Sequence, residues 1–443
     1  MSAWDWLDPR AVAAWREFDG GEAVAADRRA FQERLSRPGW VHTYPPQVLT
    51  ESAVGTTTSV ALQLSALICD FPRRVFGDDL TGWAHWLGLP EADVELTTEA
   101  LRRPHLAGIA TAFQRPDMVV TDEGLKLVEL NVAASLGGLS TCAPYAAAAA
   151  DSAYAGHLAA RGLQMHATDT SRVWLEVFGR LVRRRPADGA PVRVFEATAN
   201  PADTAGGRRF FADMVRSAGY AFSGGLVHDL ELTDDGAFFE GERVHAVFTG
   251  YTWHEAKRFV PPALTRRLVE LDTAGKVDFV GSPAAALHDN KANLALLFDP
   301  AHAGLLDARE RDLVERYVPE TFTLAPGTEE RALDGRADLL CKPASAYGGK
   351  DIVFGCVLSD QEWAAELRKR LADPTERYVV QRRVRPARVV LPGLDPAERE
   401  MVLAPLVFGG EVAGIFVRHA PPRPDSTINT SSGAEAAGAL TLR

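Results

Sequence analysis

From about residue 170 to residue 285, strand-like runs and amphipathic helices take turns, and on either side of that stretch the pattern changes to hairpins and helices. VRVFEA (192–197), VHAVFTG (244–250) and VDFVG (277–281) read as strands; RRFFADMVRSAG (208–219, closed by Gly219) and PALTRRLVELDTAG (262–275) read as helices. Strands separated by helices pair in parallel, because the crossover helix returns the chain to the same end of the sheet. The expected class is therefore α/β, with a small parallel sheet in mid-chain. No GxGxxG turn follows its first strand, which argues against a dinucleotide fold. At 443 residues the chain exceeds one ordinary core, so two or three packed units are expected.

The N-terminal flank is mostly helical. Trp4, Leu7, Val12 and Trp15 recur at roughly helical spacing within 1–36, and 58–70, 79–88 and an Ala-rich run of about 143–163 read as helices too. Beyond the parallel region, DLLCKP (338–343) and DIVFGCV (351–357) flank a glycine loop. SDQE (359–362) is a capping box that starts a helix to about Leu371, and YVVQRRV (378–384) is a strand. MVLAPLVF and EVAGIFVR meet across Gly409-Gly410, a hairpin signal.

The segment QRPDMVVTDEGLKLVELNVAASLGG carries the chemistry most clearly. Asp122, Glu123 and Gly124 form a turn between two apolar strands. Centred on Glu123, the hairpin sets Asp117 opposite Glu129, with Asn131 two residues on and sharing that face. Leu125 and Leu127 are expected on the same face, nearer the turn. Mg²⁺ takes one or two carboxylates together with phosphate oxygens and water, which is the kind of oxygen set that Asp117, Glu129 and Asn131 supply. Arg115, on the same face, can hold a phosphate beside such a metal. Taken alone, the segment reads equally well as a solvated hairpin edge.

Basic groups follow later. CKPASAYGGKDIVFG ends a strand at Lys342 and runs into a loop with Gly348, Gly349 and Lys350, whose backbone N–H groups can cover phosphates. Lys291 is read as opening an apolar helix after the strand that ends at Gly281, at an edge where ligands commonly bind. The backbone of the 378–384 strand, including Val380 and Gln381, can border a purine. In the tail, Arg418 can neutralise a phosphate or carboxylate, and Asn429 can contact metal or phosphate. Each has a plain alternative as a surface lysine, a sheet strand or a loose end.

Composition narrows the partners. With 48 Lys plus Arg against 59 Asp plus Glu the net charge is −11, so no general attraction to nucleic acid or anionic membrane is expected. The four cysteines make no CxxC or zinc spacing and read as reduced thiols of a cytoplasmic protein. Acids interrupt the first apolar run, so no signal peptide is expected, and the run around APYAAAAA is too short for a membrane span.

Together these pieces resemble the ATP-grasp ligases, and their order resembles the circularly permuted branch that includes glutathionylspermidine synthase. The RxD…ExN hairpin, with Glu129 twelve residues after Asp117, precedes Lys291 and Lys342 instead of following them. The resemblance implies Mg²⁺ at Asp117, Glu129 and Asn131, with Arg115 and Arg418 stabilising a transferred phosphoryl group. It implies ATP contacts from Lys291, Lys342, the lid loop Gly348, Gly349 and Lys350, the hinge Val380 and Gln381, and Asn429. The hinge reads QRR instead of the usual acidic pattern, which leaves the ribose contact unassigned. The implied architecture is an ATP-grasp core from 1–165 with 386–443, a parallel α/β unit over 166–285 and a β-β-α-β lid within 286–385. The implied reaction joins a small-molecule carboxylate, such as an amino acid or peptide, to an amine through an acyl phosphate, releasing ADP. A small-molecule kinase and a non-catalytic ATP-binding protein are the alternatives.

Overall fold

The computed structural model describes residues 6–18, 22–35, 40–200, 205–346, 348–395, 397–423 and 427–443. Trp4 lies outside them. The main antiparallel sheet joins distant parts of the chain: its order is Glu435–Gly438, Glu411–Ala420, Glu398–Phe408, Phe113–Thr121, Gly124–Val132. The seam is the pairing of Met118 with Leu403 and of Val119 with Val402. Alternation decides the faces. Met118, Leu127 and Leu403 point into a core shared with the helix Glu51–Phe76, whereas Val119 and Val402 point the other way, with Ile428.

That helix has 26 residues and, by length and composition alone, could cross a bilayer, which the sequence reading overlooked. In the fold its Val60, Ala61, Leu64, Ile68 and Phe71 are buried in that core, as in the core helix of a globular unit. The Ala-rich run is two helices, Leu139–Ala150 and Ala153–Ala159. The break falls where Ser152 caps the second one by accepting from Ala155 N at 3.1 Å.

The parallel sheet has four strands, Asp278–Val280, Ala246–Thr249, Arg193–Thr198 and Ala221–Leu226 in spatial order. The last was missed because Gly224 and Gly225 interrupt its apolar pattern. A three-stranded meander over 231–244 was also missed. The helix Ala205–Ser217 seals one face through Phe211, whose ring stacks 4.6 Å from that of Phe248.

A third, antiparallel sheet has the order Thr321–Thr323, Tyr378–Arg382, Leu339–Pro343, Val353–Phe354. The helix Asp360–Leu371 covers it and begins at the expected capping box: Ser359 Oγ accepts from Glu362 N at 3.3 Å, and Glu362 Oε2 accepts from Ser359 N at 2.8 Å. The expected strand at 351–357 is paired only at Val353–Phe354. Gly355 then turns away, and its carbonyl accepts from Arg336 Nη1 at 2.8 Å. Trp363, Leu367, Cys341 and Val380 form a small core of this sheet's own.

Because that core is separate, it can fail separately. Trp363 is fully buried and donates Nε1–H to Ala332 O at 2.9 Å. Trp363→Ala is expected to cost this unit about 3–5 kcal/mol. Hydrogen exchange should accelerate across 321–382 and stay unchanged across 193–280; a uniform acceleration would contradict separate cores.

Candidate functional site

The hairpin register places Asp117 opposite Glu129 and Arg115 opposite Asn131. The turn is tighter than the sequence implied. Thr121 pairs with Gly124, so Asp122 and Glu123 alone form it. A bulge makes up the difference: Asp117 pairs with Glu129 while Met118 pairs with Leu127, leaving Val128 as the extra residue. This corrects the expected position of Leu125 and Leu127. They face the core with Leu130 and Val132, and the bulge turns Glu129 and Asn131 to the opposite face, beside Arg115 and Asp117.

Asp117 is buried between two arginines, with Arg115 Nε donating at 3.0 Å and Arg418 Nη2 in an ion pair at 2.6 Å. Burial opposes its ionisation, but the pull of Arg115 and Arg418 outweighs it and holds the carboxyl well below the usual carboxylate range. Arg418 Nε is buried and has no partner among the described residues. Asn131 Nδ2 donates to Arg115 O across the hairpin at 3.1 Å and to Glu129 Oε1 at 3.5 Å, which ties the amide to the acid.

Lys342 Nζ donates to Val128 O and to Gln381 Oε1, both at 2.8 Å, so the bulge residue and the third sheet meet at this ammonium. Burial pushes Lys342 down to about 7, against the opposing attraction of Glu129. Lys291 Nζ lies 3.4 Å from Glu129 Oε2 and also donates to Ala346 O. Lys291 does not open a long helix, as expected; it sits in a turn before the four-residue helix Asn293–Leu296. Sequence reasoning passed over Asp289, whose Oδ1 accepts from Val132 N at 2.6 Å. Burial pushes it up to about 7, with Lys291 opposing. The signal was present: Asp289 stands in the short polar stretch HDNK between two apolar runs, two residues from a lysine already singled out.

Between the main sheet and the third sheet lies a cavity of about 130 Å³. Val119, Val128, Val384, Val402 and Ile428 are among its apolar walls, and Asp117, Glu129, Lys342, Gln381, Arg418 and Asn429 are its polar groups. Gly349 roofs it at φ +71°, so close that a Cβ there would meet Thr427 Oγ1 at 2.2 Å. Ser431 Oγ donates to Gly348 O at 3.1 Å, and Asn429 Oδ1 accepts from Ser431 N at 3.1 Å. The glycine loop thus rests on the tail. Lys350 is exposed and absent from the lining.

Val380 does not border the cavity. Its strand is paired on both sides, with Phe322 and with Cys341, and its side chain is in the third sheet's core, so the expected hinge contact there is wrong. Gln381 lines the cavity by its side chain, which also donates to Thr321 Oγ1 at 2.9 Å. The neighbouring linker offers Val384 and Pro386 to the lining instead.

One other group of side chains has metal-like spacing: His105, Asp272 and Asp278. Asp272 already accepts from Arg183 and from Phe279 N, and Asp278 Oδ2 accepts from the amides of Arg183 and Arg184 at 2.6 Å. It serves as an anchor for the parallel sheet.

No family model matches the chain, and no curated protein matches it. Among the solved structures similar to it in part are two synthetases. One, from Methylobacillus flagellatus KT, is described as a candidate gamma-glutamylcysteine synthetase: TM-score 0.45, 12% identity, covering 86% of this chain and 87% of that one. The other is the D-cycloserine synthetase DcsG: TM-score 0.35, 15% identity, covering 55% of this chain and 74% of that one. Similarity this low carries no argument about the site, which must be read from its own residues.

Next to the site, His288 is buried edge-on against Trp83, with ring centroids 5.2 Å apart. Burial and Arg73 push it down to about 4 from its ordinary 6.5. In the fold His288 stays neutral while the unfolded chain takes up the proton. Its contribution to stability is therefore whole above pH 6.5 and is lost as pH falls to about 4. His288→Leu should flatten the fall of Tm across that window by one proton's worth, about 1.4 kcal/mol per pH unit; an unchanged slope would contradict the assignment.

Proposed function

We propose that the protein is an ATP- and Mg²⁺-dependent carboxylate–amine ligase of the circularly permuted ATP-grasp type, releasing ADP and phosphate. One observation carries this reading. Two carboxylates on opposed strands, Asp117 and Glu129, share one end of a cavity with Arg418 and Lys342; Arg115 and Lys291 bear on the same acids from beside it. The pairing of 113–121 with 398–408, strands far apart in sequence, supports the permuted arrangement.

The residues fit the implied groups. Glu129, Asn131 and Asp117 form an oxygen set for Mg²⁺, and the unpartnered Arg418 Nε awaits an anion. Lys342, held down to about 7 by burial, would be restored to full charge by a phosphate beside it. The apolar walls suit a purine, with the 384–386 linker as the hinge. Bound Mg²⁺ would supply charge neutralisation at the transferring phosphoryl group.

In this reading the substrate carboxylate attacks the γ-phosphate in line. Arg115 and Arg418 face the spreading negative charge, and their donors are already oriented by Asp117, so little reorganisation is needed. The 348–350 loop excludes water that would hydrolyse the acyl phosphate, and an amine then displaces phosphate. The loop rests on the tail and must lift to admit nucleotide. A cytoplasmic setting belongs to the same reading, supported by four unpaired cysteines.

Two measurements test this. Glu129→Ala is expected to lower ADP release by at least ~10³-fold with the fold intact, as measured by circular dichroism; wild-type turnover would remove Glu129 from the site. With an acid carrying ¹⁸O in its carboxylate, one labelled oxygen per turnover should enter the released phosphate. Label in AMP, or a stable phosphorylated alcohol, would instead point to an adenylating ligase or a kinase.

A further inference from the structure

Glu196 and Arg208 stand together at the C-terminal edge of the parallel sheet, away from the groups assigned above. Glu196 is on the strand Arg193–Thr198 and Arg208 on the helix Ala205–Ser217 that packs over that face. Glu196 is only 9% exposed, and its Oε2 has no hydrogen-bond partner among the described residues. Arg208 Nη2 donates to Thr198 Oγ1 at 3.2 Å, but its Nε is also buried and unpartnered. Arg208 Nε and Glu196 Oε2 are 4.0 Å apart, too far for a hydrogen bond between them.

Buried polar atoms left unpaired cost free energy, so two opposite charges each keeping a free atom call for a ligand. Glycines let both side chains lie close against the backbone: a Cβ on Gly250 would come within 3.2 Å of Glu196 Oε1, and one on Gly224 within 3.3 Å of Arg208 Cδ. Two more donors, Tyr251 OH in the loop that follows the adjacent strand and Trp253 Nε1 at the start of the next helix, are buried without partners among the described residues. The C-terminal edge of parallel strands is where ligands of open α/β sheets bind.

We propose that Glu196 and Arg208 form a subsite for the α-ammonium and α-carboxylate of a free amino acid. The match is one of dipoles. The two head charges of an amino acid hang from one carbon, and Arg208 Nε and Glu196 Oε2 stand 4.0 Å apart, so both ionic contacts can form side by side. Burial pushes Glu196 up to about 7, with Arg208 only partly opposing, as befits a carboxylate whose full cationic partner is an ammonium. The assignment rests on the ligase reading for its role, since it names one substrate of that reaction. An amino acid held by both head charges reacts through its side chain.

Binding of the twenty common L-amino acids to the full-length chain, followed by calorimetry, tests this. At least one should bind, and its analogues lacking either the α-ammonium or the α-carboxylate should bind at least ~10-fold more weakly. For L-glutamate these are glutarate and 4-aminobutyrate; for L-lysine, 6-aminohexanoate and 1,5-diaminopentane. Glu196→Gln should weaken the amino acid but not the analogue without the ammonium, and Arg208→Gln should weaken the amino acid but not the analogue without the carboxylate; a merely structural role would not separate the two. If none of the twenty binds, or if binding ignores both the head charges and the substitutions while Mg·ATP still binds, the subsite is overturned and the ligase reading stands. Charge-dependent amino-acid binding without any Mg·ATP binding keeps the subsite and overturns the ligase reading. If either variant fails to fold, the wild-type analogue series alone decides.

Discussion

Asp117 is held between two arginines that reach it from different parts of the chain. Arg115 comes from its own strand and Arg418 from a strand about three hundred residues later, and the three meet only because the Phe113–Thr121 and Glu398–Phe408 strands pair. A single buried carboxylate would be costly; two cations make its ionised form the stable one. The same clamp fixes Arg418 in the cavity lining and Arg115 beside it, so the order of the main sheet and the electrostatics of the site are one constraint.

The bulge at Val128 is the local device on which the site depends. Without it, strict alternation would put Glu129 on the face of Leu125 and Leu127, in the core. With it, the carboxylate turns outward and Val128 O becomes the acceptor that holds Lys342. One extra residue thus aims an acid and seats a lysine from the third sheet. That sheet, with its own core around Trp363, meets the site through Lys342, Gln381 and the glycine loop, contacts that a rigid unit can make or release as a whole.

Much of this was legible from local pattern. The capping box at Ser359 and Glu362, the strand–helix alternation, the Gly409-Gly410 turn and the opposition of Asp117 to Glu129 all follow from rules acting over a few residues. What failed also has physical reasons. The strand at 221–226 is held by its neighbours despite two glycines, and the face of Leu127 was misjudged because a bulge leaves no composition signal. Val380 read as a free strand edge because pairing on both sides depends on strands from elsewhere in the chain.

The sequence by itself determined the α/β class, the acidic hairpin with its arginine, and the types of group available for the site, because turn chemistry, periodicity and charge are local properties. Only the tertiary structure decided that Arg418 closes on Asp117, that Lys291 comes to Glu129 and Lys342 to Val128, that Asp289 belongs with them, and that Glu196 and Arg208 keep unpaired atoms under one helix. Those are contacts between segments far apart in the chain. They exist only once the apolar faces have been buried and the sheets have taken their order, and no short-range rule encodes that order.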